Sequence, residues 1–421
     1  MKLAVVGGGS TYTPELVDGI ARLTGDIKIT ELVLADPDTE RLAVVGPFSA
    51  RIMARYGHPA TVSWTTDTDA AVDGAGAVLL QLRVGGQATR HRDETWPLEC
   101  GCIGQETTGA GGFAKALRTV PVVLDVAERV RQRAASDAWI IDFTNPVGIV
   151  TRALLDAGHR AIGLCNVAIG FQRTFAGMLG VAPEAVALDH VGLNHLTWER
   201  AALVDGADRL PELLASQGEE IAAHTGLPLA VTRAVGAVPS YYLRYFWAHD
   251  AVVAEERGRE TRAQAVAEIE RQLLAMYADP ALDTKPELLQ HRGGAYYSEA
   301  AVALLASLVT DKGDRQVVNV RNNGTLPFLA DQAVIEVSAT IGSSGAVPVP
   351  VAPVGPLMSG LISHVSAYEE LAVEAALRGG RERVWKALLA HPLVGQYDLA
   401  DQLTDRLLAE NARFLPWTAS Q

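Results

Sequence analysis

A chain of 421 residues is long for a single hydrophobic core, so we expect two closely packed lobes. The formal net charge of −13 argues against a nucleic-acid partner, which needs a basic surface, although a few local arginines can still hold an anionic small molecule. The three cysteines, Cys100, Cys102 and Cys165, favour a reducing compartment over a disulfide framework. The sequence shows no signal-peptide pattern and no apolar run of membrane-spanning length, so we expect a cytoplasmic protein without a membrane partner.

The first elements along the chain predict a dinucleotide-binding unit. A strand at Lys2–Val6 leads into three consecutive glycines and then into a helix with Pro14 in its first turn. Such a turn lets the backbone approach a pyrophosphate, whose charge then faces the N–H groups of the helix. A second strand, Glu31–Ala35, is followed by Asp36, whose carboxylate is expected to bond the ribose hydroxyls of the cofactor. A carboxylate at this place favours NAD over NADP. The presence of Asp36 also makes it less plausible that the glycine turn is purely structural. The candidate cofactor-binding residues are Gly7, Gly9, Ser10, Tyr12, Thr13 and Asp36.

The alternation of strands and helices then continues as expected for a doubly wound sheet. Helices are predicted at 42–56, 69–72 and 120–134, and strands at 61–64, 77–82 and 139–143. The segment 83–112 is predicted to be a long polar loop, and its glycine-rich part is typical of a functional loop. Asn145 precedes a proline and is therefore held extended, so that its amide can point into the crevice at the strand ends; a simple turn is the alternative.

Two apolar stretches each end with a potential metal ligand beside an asparagine. Cys165 follows the run 162–164, and His195 closes the run 191–195. Such runs indicate buried strands, whose ends are well placed to converge in one crevice. A thiolate and an imidazole suit a divalent transition metal such as Mn, Fe, Co, Ni or Zn better than Mg or Ca. A cysteine that serves only as a small buried hydrophobe is the alternative.

Beyond His195 the alternation gives way to a strand at Leu196–Val204 and then to mostly helical sequence. Helices are predicted at 260–277, 356–378, 382–390 and 399–411, and a short strand at 317–320 leads into a tight turn at 321–324. The segment 239–247 concentrates aromatic side chains around Arg244, and an aromatic core helix is the alternative to a functional role there. An arginine such as Arg262, near the start of a helix, is usually part of a solvated face.

These patterns predict an α/β protein with two domains. Residues 1–165 form a Rossmann-like, doubly wound N-terminal domain that binds NAD. Residues 166–421 form a mixed α+β, largely helical C-terminal lobe that carries catalysis, substrate binding and the contacts of an oligomer.

Seven motifs together resemble glycoside hydrolase family 4, the NAD- and Mn-dependent glycosidases, and most closely its 6-phospho-β-glucosidases. They occur in the family's order between residues 7 and 324, and the family also has a tyrosine at the place of Tyr12. The motifs are Gly-Gly-Gly-Ser-Thr-Tyr-Thr-Pro-Glu at 7–15, Gly-Gln-Glu-Thr-Thr-Gly at 104–109, Asn-Pro at 145–146, Gly-Leu-Cys-Asn-Val at 163–167, Gly-Leu-Asn-His at 192–195, Tyr-Leu-Arg-Tyr at 242–245 and Arg-Asn-Asn-Gly at 321–324.

The resemblance implies roles for individual residues. It makes Cys165 and His195 the ligands of Mn²⁺ or another divalent transition metal, and Tyr242 the catalytic base. A metal cation and an arginine, Arg244 or Arg262, are expected to favour the phenolate of that tyrosine. Five residues are implied to bind substrate: Arg90, Asn145 and Arg262 at the 6-phosphate, Glu106 at the sugar near the nicotinamide, and Asn166.

The resemblance also bears on the kind of sugar. Asn166 after Cys165 looks like the β-phosphoglucosidase type, because the family's 6-phospho-α-glucosidases resemble Cys-Asp and its α-galactosidases Cys-His at this pair. Ala168 departs from the family, which usually has a proline there. The implied substrate is a phosphorylated β-glucoside such as cellobiose 6-phosphate, and we expect a homodimer or homotetramer.

The implied reaction yields glucose 6-phosphate and the aglycone without the paired carboxylates of most glycosidases. It proceeds by transient C3 oxidation with NAD, C2 deprotonation, elimination, water addition and re-reduction. An NAD-dependent hydroxy-acid or sugar dehydrogenase is the alternative, and it would accumulate NADH. A third possibility is a dinucleotide sensor without catalytic activity. The set Cys165, His195 and Tyr242 argues against it, because a sensor does not need a metal beside a base.

Overall fold

The computed structural model describes residues 1–22, 27–294 and 296–420, and over these ranges the strands form one mixed sheet of 13 strands. The strands are β1 (Lys2–Val6), β2 (Glu31–Ala35), β3 (Thr61–Thr65), β4 (Ala75–Leu80), β5 (Trp139–Asp142), β6 (Ala161–Gly163), β7 (Val186–Leu193), β8 (Leu196–Val204), β9 (Ala207–Asp208), β10 (Val238–Pro239), β11 (Asp314–Arg321), β12 (Val334–Gly342) and β13 (Gly345–Pro348).

The helices lie between these strands and beyond them. They are α1 (Thr13–Arg22), α2 (Thr39–Arg55), α3 (Thr68–Val72), α4 (Gly86–Glu99), α5 (Gly109–Arg133), α6 (Val147–Asp156), α7 (Val167–Leu179), α8 (Leu210–Ser216), α9 (Gly218–Thr225), α10 (Leu229–Val235), α11 (Leu243–Trp247), α12 (His249–Glu256), α13 (Arg262–Tyr277), α14 (Tyr297–Thr310), α15 (Pro356–Arg378), α16 (Arg381–Ala390) and α17 (Tyr397–Asn411). Within the described ranges, none is both long and apolar enough to cross a membrane.

The first six strands are parallel and lie in the order β3-β2-β1-β4-β5-β6. This is the order of doubly wound dinucleotide-binding folds, so the predicted α/β fold class is confirmed. The order reverses direction between β1 and β4, and ligands of such sheets bind at this switch point, outside the carboxyl ends of the strands. The glycine turn after β1 and Asp36 after β2 both lie at that edge.

The sheet does not stop at β6 but continues with antiparallel strands in the order β6-β11-β12-β7-β8-β10. Asn319 of β11 pairs with Gly163 on one side and with Glu336 of β12 on the other, and Glu336 pairs with Gly192 of β7. One row across the sheet therefore connects the end of β6, just before Cys165, with the end of β7, just before His195.

The prediction of a long polar loop at 83–112 is wrong for most of its length, because α4 occupies Gly86–Glu99 and α5 begins at Gly109. The helix α4 lacks an apolar stripe because several of its side chains make ion pairs instead. Arg90 pairs with Glu94 one turn away, and Asp93 is buried against Arg118 of α5. Hydrophobic periodicity is therefore a poor guide to this helix.

Candidate active site

A cavity of about 1260 Å³ follows the carboxyl edge of the parallel strands and extends to α11 and α13. Four residues predicted for the site do not line it: Gly9, Thr13, Cys165 and His195. The ten that do are Gly7, Ser10, Tyr12, Asp36, Arg90, Glu106, Asn145, Asn166, Tyr242 and Arg262. Residues drawn from eight separate stretches of sequence thus meet around one cavity.

The glycine turn that lines part of the cavity is held tightly against β2 and the residue that follows β4. A Cβ at Gly7 would lie 2.6 Å from the Gln81 carbonyl oxygen, and one at Gly9 would lie 2.9 Å from Cγ of Asp36. The N–H of Gly9 donates to Asp36 at 3.0 Å, and Gln81 donates to the Thr13 hydroxyl at 2.7 Å. Gly9 and Thr13 therefore shape the turn, whereas Gly7 and Ser10 face the cavity.

Three charged residues near this turn, Arg41, Glu270 and Arg292, are not among the residues predicted from the sequence. Arg292 donates to the Thr11 hydroxyl at 2.6 Å and pairs with Glu270 at 3.0 Å. Arg41 donates to the Gly9 carbonyl at 2.9 Å and pairs with the same carboxylate at 3.3 Å. The two guanidinium groups flank the glycine turn with one glutamate between them, which favours binding of an anion such as a pyrophosphate.

Glu106 lines the cavity and is buried just before α5. Its carboxylate pairs with Arg83, with Arg90 at 3.1 Å and with Lys115 at 2.7 Å. Burial alone would raise the pKa of Glu106, but the charges of Arg83, Lys115 and Arg90 hold that pKa well below its ordinary value. Burial lowers the pKa of Lys115 to about 7, although Glu106 opposes this shift.

Two arginines, Arg90 and Arg262, and the amide of Asn145 also line the cavity. Arg90 donates to Glu94 at 2.7 Å, and Arg262 donates to the His291 carbonyl at 2.8 Å. Burial, and then the nearby charge of Arg90, lower the pKa of Arg262. The buried Oδ1 of Asn145 has no hydrogen-bond partner among the described residues. An anion placed between the two guanidinium groups would relieve their repulsion.

Cys165 and His195 lie next to the cavity wall and are both buried. Burial and the charge of Glu336 raise the pKa of the Cys165 thiol, and the side chains of Tyr297 and Asn194 oppose that shift. His195 has a φ of 64°, and within the described part of the chain its Nδ1 has no hydrogen-bond partner. A thiol and an imidazole nitrogen that lacks a hydrogen-bond partner are donors that suit a divalent transition metal.

The described residues include no group of three or more His, Cys, Asp or Glu side chains arranged to hold a metal ion. The Cys165 and His195 pair therefore stands without a third such donor from the described chain. A catalytic site keeps positions open for substrate and water, whereas a structural site is closed by protein ligands. The pair consequently fits a catalytic metal better than a structural one.

Tyr242 stands at the start of α11 with its ring stacked on His195, at 3.8 Å between ring centroids and an interplanar angle of 10°. Burial raises its pKa well above the ordinary value, while a hydrogen bond with Thr107 lowers it. Arg244 donates to Tyr241 and, at 2.6 Å, to Glu255. The arginine whose charge interacts with Tyr242 is instead Arg90, which the motif around Tyr242 could not indicate.

Two family models match almost the whole chain. The model described as "Family 4 glycosyl hydrolase" matches residues 2–181, and "Family 4 glycosyl hydrolase C-terminal domain" matches residues 190–394. The chain belongs to glycoside hydrolase family 4.

The chain is similar to 6-phospho-β-glucosidases over its full length. A Bacillus subtilis (strain 168) protein named "Probable 6-phospho-beta-glucosidase" is 35% identical and covers 99% of this chain and 97% of that protein. The solved Thermotoga maritima 6-phospho-β-glucosidase "with manganese, NAD+ and glucose-6-phosphate" superposes with a TM-score of 0.93 at 35% identity, covering 99% of both chains. Malate dehydrogenase from Aeropyrum pernix, at 15% identity and a TM-score of 0.51, covers 88% of this chain and 97% of its own and shares only the fold.

Proposed function

We propose that this chain hydrolyses 6-phospho-β-glucosides, such as cellobiose 6-phosphate, to glucose 6-phosphate and an aglycone. The observation that carries the proposal is that one cavity is lined both by residues of the glycine turn and by Arg90 and Arg262. Tyr242 and Glu106 line the same cavity. The similarity to named 6-phospho-β-glucosidases supports the same substrate class.

NAD is the proposed cofactor, contacted by Gly7, Ser10, Tyr12 and Asp36, while Gly9 and Thr13 hold the shape of the turn. When bound, it supplies a hydride acceptor for C3 of the sugar and returns the hydride at the end of each cycle. Asp36 supports the choice of NAD, because its carboxylate would repel the 2′-phosphate of NADP. The chain's own contribution is to place backbone N–H groups, and the guanidinium groups of Arg41 and Arg292, around the pyrophosphate position.

Gly7→Ala is expected to weaken NAD binding and to lower the melting temperature. The residue has a φ of 91°, and an added Cβ would collide with the Gln81 carbonyl, so the turn has to move away from β4. Strain of this kind costs on the order of 1–3 kcal/mol. The matched control is Gly74→Ala, because Gly74 also has a positive φ, 66°, but no atom lies within 4 Å of its added Cβ. NAD titration should separate the two variants, and equal NAD affinity would contradict a pyrophosphate at this turn.

Cys165 and His195 are the proposed ligands of Mn²⁺ or another divalent transition metal. When bound, the metal supplies Lewis-acid stabilisation of negative charge on the sugar oxygens. Tyr242 is the proposed base, which would accept the C2 proton as its phenolate. A bound cation and the charge of Arg90 would favour that phenolate against the effect of burial. The ring contact with His195 keeps the phenol beside this proposed metal ligand. Glu106, held ionised by three cations, is suited to accept hydrogen bonds from sugar hydroxyls.

The remaining assignments concern the substrate and the whole protein. Asn166 lies in the cavity and is proposed to contact the sugar. Ala168, which replaces the family's proline, occupies the first turn of α7. We further propose that residues 1–165 bind the nucleotide, that residues 166–421 provide catalysis and oligomer contacts as a homodimer or homotetramer, and that the enzyme works in the cytoplasm, where three free cysteines remain reduced.

Phosphate recognition can be tested with aryl β-glucosides that carry or lack a 6-phosphate, in the presence of NAD, Mn²⁺ and a thiol reductant. The wild-type chain is expected to prefer the phosphorylated compound strongly. Arg262→Ala should weaken transition-state binding of that compound by about 1.5–3 kcal/mol, the range for hydrogen bonds to a charged group. Each 1.4 kcal/mol is tenfold, so kcat/KM should fall by about 10- to 150-fold.

The control variant for Arg262 is Arg259→Ala. Arg259 lies three residues earlier, is exposed and pairs with Glu255 outside the cavity. It should leave kcat/KM for both compounds close to that of the wild-type chain. If Arg262→Ala reduces turnover of the phosphorylated and plain glucosides equally, Arg262 supports the scaffold and does not read the phosphate. Wild-type turnover of plain glucosides alone would overturn the proposed substrate class.

A further inference from the structure

Glu336 on β12 is a buried carboxylate that the proposed reaction does not use, and its side chain is 1% exposed. One oxygen accepts from Asn319 at 2.8 Å and from Asn194 at 3.0 Å. The other lies 3.1 Å from Nε2 of His190. A carboxylate placed this deeply in the sheet has a function that must outweigh the cost of removing its charge from water.

The position of Glu336 follows from the register of the sheet. The residue pairs with Gly192 of β7, and two residues further along that strand the chain turns at Asn194 and His195. His195 is held at a φ of 64°, a conformation that costs energy for a residue with a side chain. Such a conformation persists only where neighbouring contacts fix it, and the bond from Asn194 to Glu336 is one such contact.

Asn194 connects Glu336 with the proposed metal ligands. Its side chain donates to Glu336, and its backbone continues directly into His195. Asn319, which also donates to Glu336, pairs with Gly163, two residues before Cys165. Glu336, Cys165 and His195 are not among any group of three donors that could hold a metal in the described structure. Glu336 is therefore placed behind the ligands, as the groups that orient metal ligands usually are.

The charge of Glu336 is balanced by His190 on the neighbouring strand β7. His190 lies between two carboxylates, with Nδ1 at 2.6 Å from Glu199 and Nε2 at 3.1 Å from Glu336. All three side chains are almost completely buried. Glu199, His190, Glu336 and Asn194 thus form a chain of hydrogen bonds. Glu336 is the carboxylate that contacts Asn194, beside the proposed ligand His195, whereas Glu199 contacts only His190 in this chain.

We propose that Glu336 is a positioning residue for the metal site, which holds Asn194 so that the Cys165 thiolate and the His195 imidazole converge on one cation. The inference rests on the proposed metal-dependent function. Removing an outer-shell partner of this kind typically lowers metal affinity 10–100-fold. The ligands themselves remain in place, so the chain still folds and still offers a thiol and an imidazole.

The test is direct titration of Mn²⁺ into the full-length chain, without NAD or substrate, with free Mn²⁺ measured by electron paramagnetic resonance. Glu336→Gln is expected to weaken Mn²⁺ binding by about 10- to 100-fold. The matched control is Glu199→Gln, an equally buried change at the far end of the same network. Both variants should have a lower melting temperature than the wild-type chain, because each leaves His190 with one carboxylate. Only Glu336→Gln should also bind Mn²⁺ more weakly.

Asn194→Ala provides a second variant at a less buried position and removes the connection itself. It should weaken Mn²⁺ binding to a similar extent, and combining it with Glu336→Gln should add little, since both act through one contact. Unchanged Mn²⁺ affinity in Glu336→Gln or in Asn194→Ala, or an equal loss in Glu199→Gln, overturns the positioning role. Absence of Mn²⁺ binding by the wild-type chain would instead overturn the proposed metal site itself.

Discussion

Tyr242→Phe is expected to lower kcat by about 10²- to 10⁴-fold, the usual contribution of a positioned general base. The substitution removes only the phenolic oxygen, which as a phenolate would accept the C2 proton. The phenyl ring can still stack on His195, so the affinities for NAD and Mn²⁺ should change little. Steady-state kinetics, together with separate titrations of the two cofactors, measure these effects.

Tyr245→Phe is the matched control for this prediction. Tyr245 lies on the same helix, is buried, and hydrogen-bonds with Gln105 at 3.2 Å, but it does not line the cavity. The control therefore loses a tyrosine hydroxyl and a hydrogen bond without touching the proposed chemistry. Near wild-type kcat in Tyr242→Phe, or an equal loss in Tyr245→Phe, would contradict the assignment of the base.

Cys165→Ser is expected to weaken Mn²⁺ binding on the order of 10²-fold or more, beyond the 10–100-fold typical of an outer-shell partner. A hydroxyl is a much poorer ligand than a thiolate for a transition metal. Chelation of the metal or oxidation of the thiol should abolish activity in the unmodified protein. Addition of Mn²⁺ and a reductant should restore it.

The appropriate control is Cys102→Ser, because Cys102 is also a buried free thiol but lies outside the cavity lining. Its substitution should affect stability more than metal affinity. Full activity of Cys165→Ser in metal-free buffer would remove Cys165 from the site. Equal loss of Mn²⁺ binding in both variants would point to a general effect of removing buried sulfur.

The sequence was informative where function depends on short contiguous motifs. The glycine turn after β1 and Asp36 after β2 are 27 residues apart in the chain and hydrogen-bonded in the structure, as the dinucleotide-binding pattern predicts. The sequence predicts strand ends at Cys165 and at His195. In the structure these are the end of β6 and the turn between β7 and β8. Their convergence depends on the sheet continuing through β11 and β12, which bring these two ends into one row.

The sequence was uninformative where a residue acts through a distant partner. Glu270 contacts Arg41, which is 229 residues away in the sequence, and Glu336 contacts Asn194, which is 142 residues away. No local sequence pattern can predict contacts between residues so far apart. The strand β12, which carries Glu336, is absent from the elements predicted from the sequence. None of the seven sequence motifs includes Glu336. The helix α4 was missed for a related reason, because its buried polar side chains are satisfied by ion pairs from other elements.

The central claim is that the chain removes a proton from C2 of a phosphorylated sugar while NAD is reduced and reoxidised within one cycle. The most direct test is turnover of an aryl 6-phospho-β-glucoside in D2O, with the position of deuterium in the product determined by nuclear magnetic resonance. We predict deuterium at C2 of glucose 6-phosphate, formed only when NAD is present and without net accumulation of NADH. Product with a fully protonated C2, formed at the same rate without NAD, would contradict the account.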